Sequence, residues 1–106
     1  MDPPPPRIGE LLRIDDLETG FSPKNPKPGR PCLVVGRSAG RQVPLCPLST
    51  KGGAIYVPEG AAEGLDQASW IVDKHVVVPL SVAWEADSAG WLGEPYLAEA
   101  LAMVKK

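Results

Sequence analysis

The sequence has 106 residues, of which 43% are hydrophobic and 23% are charged, a composition typical of one small globular domain. No apolar run approaches the about 20 residues that span a bilayer, and Met1-Asp2-Pro3 does not open a secretory signal, so we expect a cytoplasmic protein with no membrane partner. A formal net charge of −2 argues against a dedicated nucleic-acid binder with a net basic surface, although it is compatible with a local basic patch.

The predicted elements are short, because thirteen prolines and eleven glycines favour frequent turns. Residues 1–7 contain four consecutive prolines and are predicted to form a flexible, extended tail. Residues 8–106 are predicted to form a single domain. Its first strand is Glu10–Ile14, and Asp15–Gly29 follows as a long loop of the kind that is usually functional or disordered.

Two apolar runs rich in Val and Leu, Pro31–Gly36 and Gln42–Leu48, have the pattern of buried strands. The polar residues between them predict a turn, so we expect an antiparallel hairpin. Pro44 and Pro47 interrupt the second run and favour an edge strand or a bulge.

The second half of the chain predicts further short strands and one helix. Strands are expected at Ala54–Val57, in one or two pieces within Ala68–Val78, and at Ser81–Trp84. A helix is expected to begin near Pro95, since three apolar residues then recur at helical spacing, namely Leu97, Leu101 and Val104. The predicted fold is therefore mainly β with a C-terminal helix, in a small barrel or sandwich.

Cys32 and Cys46 are the only cysteines, and each lies in an apolar strand run. We expect two reduced, buried thiols, with a disulfide across the hairpin as the alternative. Together with the single histidine they cannot complete a tetrahedral structural zinc site, so no metal is expected.

Arg30 stands at the start of the first apolar run, and Ser49 and Thr50 stand at the end of the second. An antiparallel hairpin would bring these three residues together at its open end. A guanidinium beside hydroxyl groups can bind a phosphate or another oxyanion. The alternative is a surface arginine paired with Asp15 or Asp16 and hydroxyl groups that only cap a turn.

The order of these motifs resembles the PemK/MazF family of toxins from toxin–antitoxin modules. The resemblance covers most of the chain from Ile8 onward. It rests on six short motifs, Gly9-Glu10-Leu11, Asp15-Asp16, Thr19-Gly20, Gly29-Arg30-Pro31, Pro47-Leu48-Ser49-Thr50 and Val72-Asp73.

The resemblance implies a small SH3-like barrel, shared also by CcdB toxins, that pairs as a homodimer. It implies a metal-independent endoribonuclease without cofactors that cuts single-stranded RNA, and a cognate antitoxin that occupies the RNA groove. The family's reactive arginine falls on Arg30, its reactive hydroxyl falls on Ser49 with Thr50 beside it, and an aspartate near the RNA falls on Asp73.

Cleavage of RNA without a metal uses the neighbouring 2′-hydroxyl as the nucleophile, and Arg30 would stabilise the charged phosphorus centre. The long loop offers Lys24 and Lys27 as candidate RNA contacts and Phe21 as a candidate surface for base stacking. His75 has the only side chain with an ordinary pKa near neutrality, but it lies beyond the family pattern and a structural role is the competing interpretation.

Two departures from the family pattern favour a different function. The loop after Gly20 reads Phe21-Ser22-Pro23-Lys24 where the family commonly has polar residues, and Ile71 stands where some members have an arginine. The alternative is a binding or regulatory module with weak or no catalysis, or a toxin with another target such as a DNA topoisomerase.

Overall fold

The fold was obtained as a computed structural model, which describes residues 4–22 and 24–105. Seven strands and three helices follow one another along this part of the chain. They are β1 (Glu10–Ile14), α1 (Asp16–Thr19), β2 (Arg30–Val34), β3 (Gln42–Ser49), β4 (Ile55–Val57), β5 (Ser69–Ile71), β6 (Val76–Pro79), α2 (Leu80–Glu85), β7 (Asp87–Trp91) and α3 (Tyr96–Val104).

The strands form one antiparallel sheet in the order β4-β5-β3-β2-β1-β7. The seventh strand, β6, is outside this order and also pairs with β3. The sheet curls into a half-barrel, with α3 at the C-terminal end of the chain. The coarse prediction, mainly β with a C-terminal helix, is confirmed. The predicted hairpin is also confirmed, because β2 pairs antiparallel with β3 and Leu33 lies opposite Cys46.

Both faces of the sheet are covered, which explains why its central strands are almost continuously apolar. Successive residues of a strand point to opposite faces. One face packs against α3 through residues such as Leu11, Leu33 and Leu48, and the other packs against α2 through Leu12 and Val34 among others.

The long strand β3 is central rather than an edge strand, which corrects the expectation drawn from its prolines. One side of β3 pairs with β2, and the other pairs first with β6 over Gln42–Leu45 and then with β5 over Leu48–Ser49. Pro47 lies between these last two pairings, so its missing N–H falls where β3 changes partners. A central strand tolerates the proline at this point.

One further expectation is wrong, and one strand was missed. Ser81–Trp84 belongs to helix α2 rather than to a strand, and its buried Ala83 packs with Leu80 against the sheet. The six residues of α2 make fewer than two turns, too few for helical periodicity to stand out. Strand β7 was not predicted. Ala89 is its only buried side chain, so its sequence does not show the apolar alternation that is typical of a strand.

The N-terminal prolines are described from Pro4, and the rest of the predicted tail, residues 1–3, lies outside the described residues. Pro4 to Arg7 has no regular secondary structure. The indole Nε1 of Trp84 donates a hydrogen bond of 3.1 Å to the carbonyl oxygen of Pro4. Among the described residues, no helix is both long and apolar enough to cross a membrane.

Cys32 and Cys46 are both buried and unpaired. They belong to the clusters on opposite faces of the sheet, so the alternative of a disulfide across the hairpin is wrong. Burial raises the pKa of the Cys32 thiol to about 12 and that of the Cys46 thiol to about 11, which keeps both protonated and unreactive near neutral pH.

We expect Ellman's reagent at pH 8 to modify neither thiol of the folded protein within minutes. After unfolding in guanidinium chloride, it should modify both cysteines. The measurement is the absorbance of the released thiolate against time. Rapid modification of one thiol in the native protein would contradict the burial described for these strands.

Candidate anion-binding pocket

Arg30, the first residue of β2, is buried and holds a carboxylate in a two-pronged ion pair. Its Nε donates to Asp16 Oδ1 at 2.6 Å, and its Nη2 donates to Asp16 Oδ2 at 2.9 Å. Its Nη1 donates to the carbonyl oxygen of Leu48 at 2.9 Å. The guanidinium therefore links α1 to the end of β3, close to Ser49 and Thr50.

Asp16 is the buried partner of this pair, with only 1% of its surface exposed. Its Oδ2 also accepts a hydrogen bond from the backbone N–H of Lys27 at 2.9 Å. Burial opposes ionisation of the carboxyl, but the hydrogen bonds from Arg30 and Lys27 and the positive charge of Arg30 outweigh it and lower the pKa of Asp16. The carboxylate is therefore ionised at neutral pH and satisfies the buried cation.

The long loop folds back on this ion pair. The backbone N–H of Asp16 donates to the carbonyl of Lys27 at 2.9 Å, and Asp15 Oδ1 accepts the N–H of Gly29 at 2.7 Å. Gly29 has a φ of +61°, a backbone conformation that glycine adopts without strain. These bonds place Lys27 and Gly29 beside the guanidinium.

Phe21 covers Arg30 from the loop. The guanidinium carbon lies 4.6 Å from the centre of the Phe21 ring, and Lys74 Nζ lies 5.7 Å from the same centre. Both are cation–π distances. Phe21 thus shields Arg30 from solvent, and its ring already contacts two cations.

A pocket of about 150 Å³ opens beside Arg30. Three cationic side chains line it, together with one hydroxyl-bearing residue of the β3–β4 loop and the polar residues of the segment before β5. The full lining is Arg13, Lys27, Pro28, Gly29, Arg30, Pro31, Leu48, Thr50, Leu65, Asp66, Gln67 and Ser69. Asp66 is the one carboxylate among these described residues.

Arg30 lines this pocket and retains hydrogen-bonding capacity. A guanidinium carries five N–H groups, and three of them are engaged within the described structure. One N–H on Nη1 and one on Nη2 are left over. Two N–H groups of this kind can bind two oxygens of a phosphate.

The structure brings some of the predicted residues together in this pocket and leaves others outside. Thr50 and Lys27 line it with Arg30, and Phe21 packs on Arg30. The hydroxyl of Ser49 accepts the backbone N–H of Lys51 at 3.1 Å and so holds the turn after β3. Ser49 does not line the pocket.

Three candidate residues lie elsewhere. Asp73 is exposed and lines a separate groove between β4 and α3, which also contains Tyr56 and Glu99. Lys24 is an exposed residue of the long loop and is not part of the lining of the Arg30 pocket. His75 is exposed just before β6 and lines neither of these two sites.

Sequence reasoning missed Arg13, Asp66 and Gln67. Arg13 Nη2 donates to the carbonyl of Gly64, and Gly64 N–H donates to the carbonyl of Ala89 in β7 at 2.8 Å. A Cβ at Gly64 would lie 2.8 Å from the Ala89 Cα, so only glycine permits this close approach. No local pattern shows that residues 58–68 fold back in this way.

The pocket is suited to an anion with several oxygens. Arg13 and Lys27 supply positive charge, Arg30 supplies N–H donors, and Thr50 supplies a hydroxyl. Asp66 supplies carboxylate oxygens as hydrogen-bond acceptors. Within residues 4–22 and 24–105, no group of three or more His, Cys, Asp or Glu side chains is arranged to hold a metal ion.

Comparison with known proteins adds no relative: no family model, no curated protein and no solved structure matches this chain.

Proposed function

We propose that this chain is the toxin of a type II toxin–antitoxin module, an endoribonuclease that cuts single-stranded RNA without a metal. In this proposal the half-barrel is an SH3-like barrel of the PemK/MazF kind, which acts in the cytoplasm as a homodimer and is neutralised by a cognate antitoxin. The observation that carries the proposal is the pocket where Thr50 and Lys27 converge on a fixed guanidinium, that of Arg30.

The reaction assigns a role to each of these groups. The 2′-hydroxyl attacks the adjacent phosphorus and the bond to the 5′ oxygen breaks, which leaves a 2′,3′-cyclic phosphate and a 5′-hydroxyl. The two remaining N–H groups of Arg30 bind the non-bridging oxygens, where negative charge develops. The Thr50 hydroxyl donates to a phosphate oxygen, Asp66 accepts the proton of the 2′-hydroxyl, and solvent protonates the leaving oxygen.

One observation favours a second function, a binding module without catalysis. Asp16 already neutralises Arg30, so the net positive charge of the pocket comes from Arg13 and Lys27 alone, and Asp66 reduces it further. Such a pocket can bind a phosphate or a carboxylate without activating it.

Incubation with RNA separates the two functions. The purified protein is incubated with a long single-stranded RNA in excess chelator, and the fragments are resolved on a denaturing gel. The ribonuclease proposal requires fragments that end in a cyclic phosphate. RNA that stays intact at micromolar protein but is retained in a mobility-shift assay would select the binding module.

Removal of one pocket cation should weaken RNA binding under either function. Lys27→Ala is expected to lower the affinity for single-stranded RNA several-fold, since Lys27 is exposed at the pocket. The slope of log K against log salt should become less negative by about 0.7, the value for one phosphate contact with single-stranded RNA. Fluorescence anisotropy at several salt concentrations measures both quantities.

The matched control is Lys105→Ala, which removes an exposed lysine after α3. This variant should bind RNA with unchanged affinity and an unchanged salt slope. Equal effects of the two substitutions would mean that the lysines contribute only through net charge, and the pocket would then not be the RNA contact.

A further inference from the structure

A second groove lies around the N-terminal prolines, away from the Arg30 pocket. It has a volume of about 380 Å³, and Pro4, Pro5, Pro6 and Arg7 form part of its wall. Its remaining lining comes from β1, from α2 and the residue after it, and from β7, namely Glu10, Leu12, Ala83, Trp84, Ala86 and Trp91. Leu12 and Ala83 are each 3% exposed, so the floor of this groove is apolar.

The chemistry of the groove fits a polyproline segment. A polyproline II helix has no internal hydrogen bonds, so its carbonyl oxygens need donors from outside. Tryptophan offers a flat apolar surface together with one N–H donor. Trp84 uses that donor here, because its Nε1 lies 3.1 Å from the carbonyl oxygen of Pro4. Proline-rich segments dock in aromatic grooves by this combination.

The groove also has a charge preference. Glu10 lines it, and Arg7 directly follows the proline run. The backbone N–H of Glu10 donates to the carbonyl of Arg7 at 3.1 Å, which fixes the end of the segment at the start of β1. A ligand with a basic residue after its prolines is therefore favoured over one with an acidic residue.

The chain's own segment leaves part of the groove open. Trp91 is 53% exposed although it lines the groove, and the open volume lies beside the prolines. We propose that this groove is a recognition site for a proline-rich segment of a partner protein, extended and followed by a basic residue. The chain's own Pro4–Arg7 is its intramolecular occupant and competes with the partner for the Trp84 donor.

Competition predicts how the full-length protein behaves. A segment tethered to its own site by a short linker has an effective concentration of the order of millimolar. A partner peptide must displace it, so its apparent affinity for the unaltered chain is reduced. Loss of the prolines should remove that competition and leave the apolar floor available.

The experiment uses the full chain and a full-length variant with Pro4→Ser, Pro5→Ser and Pro6→Ser. The probe is a synthetic peptide, Pro-Pro-Pro-Pro-Arg with blocked ends, titrated while tryptophan fluorescence and the indole N–H resonances are recorded. We expect the variant to bind the peptide at least tenfold more tightly than the unaltered chain. A peptide ending in Glu instead of Arg should bind several-fold more weakly.

Trp84→Phe combined with the three serine substitutions tests the donor, because it keeps an aromatic ring and removes the N–H. We expect peptide affinity to fall about threefold to tenfold, the value of one hydrogen bond. The matched control is Trp70→Phe, since Trp70 packs against Tyr56 on β4, with the ring centres 5.3 Å apart, and does not line the groove. Unfolding curves establish that each variant is folded.

The proposal is overturned if the variant with three serines binds the peptide no more tightly than the unaltered chain, or if Trp70→Phe weakens binding as much as Trp84→Phe. Analytical ultracentrifugation tests whether the prolines in the groove come from the same chain or from a second copy. Dimers that form in the unaltered chain and disappear in the variant with three serines would mean that a second copy supplies the prolines, and the intramolecular occupant would then be rejected.

Discussion

Asp16→Asn is expected to lower the free energy of unfolding by about 3–5 kcal/mol, the range measured when one member of a buried ion pair is removed. Asparagine has the size of aspartate, but it lacks the charge and replaces one acceptor oxygen with a donor. Arg30, of whose side chain only 7% is exposed, would keep its charge without a counter-ion. A domain of this size has about 5–15 kcal/mol of stability in total, so the variant should be close to unfolding at physiological temperature.

The control for this substitution lies one residue away. Asp15 is exposed and its carboxylate accepts one backbone N–H, that of Gly29. Asp15→Asn should therefore cost about 1 kcal/mol or less. Urea denaturation followed by tryptophan fluorescence measures both variants, and equal losses would show that burial of the ion pair does not determine the result.

The contribution of Asp16 to the free energy of unfolding should also depend on pH. Because the folded-state pKa of Asp16 lies below its ordinary value, the unfolded chain binds a proton more readily than the folded chain as the pH falls. The stabilisation is thus fully present above about pH 5 and is lost as the pH falls through the folded-state pKa. The difference in unfolding free energy between the unaltered chain and Asp16→Asn should shrink below about pH 4. A difference that stays constant down to pH 2 would contradict the ion pair.

Thr50→Val and Arg30→Lys are expected to reduce RNA cleavage by about 10²–10³-fold each, the effect of removing one preorganised donor to a developing oxyanion. Valine keeps the shape of threonine and removes the hydroxyl. Lysine keeps the charge of arginine but cannot bind Asp16, Leu48 and a phosphate at once, as the guanidinium can. Single-turnover cleavage of a fluorescent RNA in chelator measures the rate constants.

Ser49→Ala is the informative comparison. Ser49 and Thr50 are adjacent, but only Thr50 lines the pocket, while Ser49 stabilises the turn. Cleavage by Ser49→Ala should therefore stay within about tenfold of the unaltered chain. The opposite order, with Ser49→Ala inactive and Thr50→Val active, would transfer the hydroxyl role to Ser49. Because Thr50 is exposed, its variant is expected to fold even if Arg30→Lys does not.

The elements that sequence alone predicts are those whose residues determine them locally. Strand β1 has the predicted bounds, and the β2–β3 hairpin follows from two apolar runs joined by a polar turn. Helix α3 follows from Leu97, Leu101 and Val104 at helical spacing. By contrast, β7 exists because its backbone pairs with β1, and no apolar alternation in Asp87–Trp91 signals that pairing.

The candidate site likewise contains features that the sequence predicts and features that only tertiary packing determines. The hairpin register predicts that Arg30 lies near the end of β3, and the guanidinium does bind the Leu48 carbonyl. The sequence offered both Asp15 and Asp16 as possible partners of Arg30, and only tertiary packing selects the buried carboxylate of Asp16. Arg13 and Asp66 are 53 positions apart along the chain and meet only because the loop before β5 folds over the sheet.

The way Arg30 is held has a consequence for selectivity. A guanidinium fixed by a carboxylate, a strand carbonyl and an aromatic ring is already immobile before any anion arrives. Little conformational entropy is then lost on docking, and the site cannot adapt its shape to a poorly fitting guest. Discrimination should therefore follow size and oxygen geometry, so that small anions whose oxygens match the two remaining N–H groups compete well while bulky ones of equal charge compete poorly.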